Sequence, residues 1–174
     1  HSSPTRRSSD RLIETLALTA RLGVGRFRWA LFYPFPGTAA HARAQALGLI
    51  DEQRRLALGN YFDASCLRFG ADHDLLLEKL AVLCHWWVNA LSDSPAAPRY
   101  RALVREAEAL TREEFRAARE ELLARDRSLA AELLAARVAH YSIRFSRVMG
   151  VHSDFLLAEA DRAPRSGGRG EAGA

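Results

Sequence analysis

The residues of this chain best suited to chemistry are Cys84-His85 beside Trp86-Trp87, His73 between Asp72 and Asp74, and His41 just after a Pro-Gly-Thr turn. Cys84 and His85 are two common metal-ligand types, but adjacent helical residues point about 100° apart, so the pair cannot converge on one ion without distortion. The expectation is therefore a core cysteine, a histidine at the rim and a Trp pair divided between core and surface. Acidic neighbours at His73 suit the first turn of a helix, where the backbone dipole favours negative charge. His41 reads as an exposed first-turn histidine, and His140 and His152 have no convergent partners in sequence. Glu113-Glu114 and Glu120-Glu121, with Arg three or four positions on, read as solvated helix faces. No Gly-rich phosphate loop, Ser-His-Asp order or paired-carboxylate constellation is present.

These residues are to be held mainly by helices. Apolar residues at Leu12, Ile13, Leu16, Leu18 and Leu22 predict a helix over 11–22, with Asp10 as N-cap and Gly23 as the stop. Thr38 is placed to cap a helix through Leu47 that Gly48 ends. Helical spacing continues over about 72–90 and 98–110. Thr111 with Glu114 three residues on forms a capping box for a further helix, expected to bend near Asp126-Arg127-Ser128. Val138, Tyr141, Phe145 and Val148 extend the helical stripe to Gly150. Residues 1–10 are polar and without periodicity; they resemble translated adapter sequence and read as a non-native or disordered leader. Residues 161–174, rich in Gly and Arg after Pro164, read as a disordered tail.

One stretch departs from the helical pattern. Seven of the eight residues from Phe27 to Pro34 are apolar or aromatic, Arg28 being the exception. Such a run suits a strand covered on both faces, as in a parallel α/β sheet. The rest of the chain offers no second strand of that quality, and a lone strand leaves its backbone groups without neighbours. The fold expected is mainly α with one buried β-strand.

Strand, Pro34-Phe35-Pro36-Gly37-Thr38 turn, helix and Gly48-Leu49-Ile50-Asp51 together resemble the end of the barrel in radical S-adenosylmethionine enzymes, most closely those carrying a cobalamin-binding domain. Asn60-Tyr61-Phe62-Asp63 and the Cys84–Asn89 stretch resemble the helical extension that follows. The resemblance implies that residues 11–50 are the last helix–strand–helix unit of a truncated partial (β/α)6 barrel and 51–160 its helical C-terminal extension. It also implies that Phe32, Tyr33, Pro34, Phe35, Pro36 and Gly37 line the adenine and ribose of S-adenosylmethionine. In the family a Cys-x3-Cys-x2-Cys loop holds a 4Fe-4S cluster, its open iron taking the cofactor. This chain has only Cys66 and Cys84. The fragment alone is thus expected to bind no cofactor and to be inactive. Cluster, S-adenosylmethionine and cobalamin belong to a parent enzyme, whose upstream barrel and cobalamin-binding domains are the implied partners, with a small-molecule substrate. The alternative from another class is a non-catalytic helical protein-interaction domain; an independent four-helix sensor domain is a third.

Net charge is +4 with a pI near 9.6, but the first ten residues carry +1 and residues 162–174 carry +2, leaving the body near neutral. No aromatic-interleaved basic patch appears, which disfavours nucleic acid. The high Arg and Ala content fits a GC-rich bacterial coding bias. No apolar run is long enough to span a membrane, there is no signal peptide, and two distant cysteines suggest no disulfide framework. A cytoplasmic location is the expectation.

Overall fold

A computed structural model describes residues 4–58, 64–145 and 152–157. Six helices and a small three-stranded sheet are seen among them, in the order α1 (Pro4–Leu22), β1 (Arg26–Phe27), α2 (Ala39–Ala46), α3 (Glu52–Ala57), α4 (Ala71–Ala90), α5 (Ala97–Ala109), α6 (Arg112–Ala135), β2 (His140–Phe145) and β3 (His152–Leu157). The chain is mainly α, as its spacing predicts.

Helix α4 is the hub, packing against α1, α5 and β2. Its second half is apolar almost all round, and from Leu83 to Ala90 every residue is buried. A helix apolar on all sides must be enclosed. The main core is built around it from Leu16, Trp86, Tyr100, Val104, Phe115, Leu122, Leu129 and Tyr141. α1 begins at Pro4, ahead of the Asp10 cap expected from the sequence.

α6 starts at the Thr111 cap with both capping-box hydrogen bonds formed: Thr111 Oγ1 accepts from Glu114 N, and Thr111 N donates to the Glu114 carboxylate at 2.8 Å. It then runs unbroken to Ala135, so the bend expected at Asp126–Ser128 does not occur. Asp126 instead occupies the inward row with Phe115, Leu122, Leu129 and Leu133. Lys79 ties two helices together, its buried ammonium donating to the carbonyls of Glu108 at 3.1 Å and Leu110 at 2.7 Å. Those oxygens end α5, where a cation is favoured by the helix dipole.

The stripe read as helical from Val138 onward is a β-hairpin limb in its described part. β2 and β3 pair antiparallel from His140↔Leu157 to Phe145↔His152, and β1 joins β3 through Arg26↔Phe155 and Phe27↔Asp154, giving the order β1-β3-β2. Tyr141, Ile143 and Phe145 alternate with Ser142 and Arg144, a period-two pattern that the three-and-four spacing of Val138, Tyr141 and Phe145 masks. Val148, Gly150, the Asn60–Asp63 motif and the tail lie outside the described residues.

The long parallel strand expected over Phe27–Pro34 is corrected. Only Arg26–Phe27 joins a ladder, and it does so antiparallel. A partial barrel is not among the described elements. Gly37 (φ 84°) and Gly48 (φ 65°) occupy left-handed backbone, which glycine adopts without a Cβ penalty.

Candidate functional site

Residues 27–35 form the most unusual surface of the molecule. Phe27, Trp29 and Tyr33 are half-buried and Leu31 is buried, whereas Arg28, Ala30 and Phe32 are exposed. This is the two-residue period of extended backbone with one face packed. Yet residues 29–34 make no backbone–backbone hydrogen bond among the described residues. They have the side-chain pattern of a strand without the ladder of one.

The turn that follows is tightly built. Pro34 is fully buried and anchors the exit. The Phe35 carbonyl accepts from Thr38 N at 3.2 Å and Thr38 Oγ1 at 2.7 Å. Thr38 Oγ1 accepts in turn from His41 N at 3.2 Å, so Thr38 caps α2 as its position predicts. Phe32 and Phe35 are 62% and 56% exposed, and Tyr33 meets Phe35 edge-on at 4.9 Å. Arg55, held by Glu52 at 2.6 Å, also bonds Tyr33. The six residues Phe32 to Gly37 are therefore contiguous, with two aromatic faces turned outward around one buried proline. His41 is half-buried on α2, not fully exposed.

Cys66 and Cys84 are buried and form no disulfide with each other, and desolvation pushes the Cys66 thiol up. Neither has the electropositive, accessible setting of a reactive thiol. Among the described residues no three of His, Cys, Asp and Glu gather as metal ligands. No helix of the described residues is long and apolar enough to cross a membrane.

A buried polar cluster that sequence reasoning missed lies in the helical core. Asp126 Oδ1 is 2.8 Å from His85 Nε2 and accepts from Trp86 Nε1 at 2.6 Å. His85 is thus a core residue and not a rim one, since α4 is enclosed at this level. Burial pushes the Asp126 carboxyl up, but the charge and hydrogen bond of His85, with help from Trp86 and His140, outweigh it and hold the group below the usual carboxylate value. His140 is fully buried beside this cluster, and its Nδ1 lies 2.8 Å from the Val138 carbonyl. The sequence places His85 and Asp126 on different helices, 41 positions apart, so only the inward row of α6 could have signalled the pair. The cluster joins α4 to α6.

Compared with protein-family models, curated proteins and solved structures, the chain matches none.

Proposed function

We propose that the chain is the C-terminal part of a bacterial, cytoplasmic radical S-adenosylmethionine enzyme with a cobalamin-binding domain, and that residues 27–37 are a barrel strand and its exit turn. The observation that carries this reading is the backbone of residues 29–34: strand-like in burial, unbonded in its ladder positions. An edge of this kind is a template for pairing with another strand. Upstream strands of the same protein are the natural occupants, and docking them would also cover Phe32.

In the parent enzyme, S-adenosylmethionine supplies a radical when reductively cleaved at a 4Fe-4S cluster. The two buried cysteines of this chain, eighteen positions apart, do not fit that cluster. Its ligands belong upstream. What this chain offers is a wall for the adenosine. Phe35 presents an apolar face with Tyr33 braced edge-on beside it, and Gly37, with no heavy atom within 4 Å of a Cβ built there, lets a ligand approach the backbone. The helical extension then closes over one side of the substrate.

The test is to express the reading frame together with the sequence that precedes it. A Cys-x3-Cys-x2-Cys segment in frame is expected. The anaerobically reconstituted protein should release 5′-deoxyadenosine, and Phe35→Ala should slow that release. The same edge would serve a non-catalytic interaction domain that adds a partner's strand. Absence of the cysteine segment, or slow amide exchange at residues 29–34 in the isolated chain, would remove the enzyme reading.

A further inference from the structure

Beneath the extended segment lies a cleft of about 380 Å³, bounded by α1, by Trp29–Phe32 and by the start of α4. This is within the size range of small-molecule sites, roughly 300–1,000 Å³. Four rings line it: Trp29, Phe32, Phe69 and His73. His73 is 4% exposed, meets the Phe69 ring edge-on at 5.1 Å, and has its Nδ1 2.9 Å from Ser9 Oγ. That bond fixes the imidazole and leaves Nε2, which has no hydrogen bond among the described residues. The indole N–H of Trp29 is buried and has no acceptor among them. Arg11 stands at the rim as the one formally charged residue of the lining among the described residues, and no carboxylate faces it from the cleft.

We propose that this cleft binds a small planar aromatic anion, its ring among Trp29, Phe69 and His73 and its acidic group toward Arg11. Aromatic walls select a flat apolar body, the second imidazole nitrogen takes a polar ring or acid atom, and the guanidinium favours a carboxylate through charge-assisted hydrogen bonding. All of these groups belong to the chain itself, so the site stands independently of the barrel reading.

The probe is 2-naphthoate, titrated into the chain and followed by tryptophan fluorescence and saturation-transfer NMR, with neutral 2-naphthamide as comparison. Saturable one-to-one binding is expected, weakened about tenfold in the amide and in Arg11→Gln, as loss of one charge-assisted contact implies. Trp29→Ala, which removes an aromatic wall of the cleft, should also weaken it. Arg11 is exposed, so R11Q tests the proposal even if the Trp29 variant does not fold. Equal affinity for acid and amide, unchanged binding in R11Q, or no saturable signal would each overturn it.

Discussion

Asn89 and Tyr141, 52 positions apart, exchange two hydrogen bonds: Asn89 Oδ1 accepts from Tyr141 N at 2.8 Å, and Asn89 Nδ2 donates to Tyr141 O at 2.9 Å. A side-chain amide carries the same donor and acceptor as a peptide group. Asn89 therefore takes the place of the next strand at the outer edge of β2, and α4 closes the sheet on that side. Tyr141 completes the junction, its hydroxyl donating to the Val24 carbonyl at 2.6 Å and its ring meeting Phe27 edge-on at 5.1 Å.

Asn89→Ala should then be severely destabilising. It leaves one N–H and one C=O of Tyr141 buried without partners, at about 1–3 kcal/mol each. Urea unfolding should show a lower midpoint, together with faster amide exchange at Tyr141. A change below about 0.5 kcal/mol, the range of ordinary surface substitutions, would mean that the β2 edge finds other partners.

Asp126→Asn should cost about 3–5 kcal/mol, the usual penalty for breaking a buried pair from one side. The carboxyl is depressed in the folded state, so its contribution is fully present above the ordinary value of 3.8 and is lost as pH falls from there through the lower folded value. The wild type should lose stability over that acid window, and the variant should lose less. Identical acid profiles for the two proteins would exclude the pair as the source.

His73 is opposite in charge type but follows the same direction. Burial lowers its pKa, opposed by Asp74, so the folded state favours the neutral ring. Stability from this site is present above the ordinary value of 6.5 and lost as pH falls through the depressed one. His73→Gln should flatten the stability profile in that window, with the midpoint of the His73 ring signals read by NMR. A midpoint above 6.5 would contradict the assignment.

Thr111→Ala removes the capping box at the start of α6 and should cost about 1 kcal/mol. Thr111→Ser should restore most of it. Thermal unfolding of the three proteins distinguishes a capping loss from a packing loss, since Ser keeps the oxygen and drops the methyl.

Features carried by neighbouring residues were legible in the sequence. The Thr38 cap, the Thr111–Glu114 box, the stops at Gly23 and Gly48 and the apolar face of α4 all depend on spacing within a few positions. Strand β2 was hidden because Tyr141 and Phe145 satisfy a helical spacing as well as a strand one. Asp126 sits in an Asp-Arg-Ser triplet that suggests a break, and only tertiary pairing with His85 and Trp86 turns it into a core residue. The extended segment was recognised from its hydrophobicity, but the exposure of one of its faces depends on what surrounds it and could not be read from the residues alone.

Lys79 is the sole lysine of the sequence, and both its burial and its grip on the α5 carbonyls remove it from any endoprotease that cuts after lysine. Cleavage at that bond requires α4 and α5 to come apart. A lysine-specific digest therefore yields two pieces or none, and its rate is a clock for the opening of this junction.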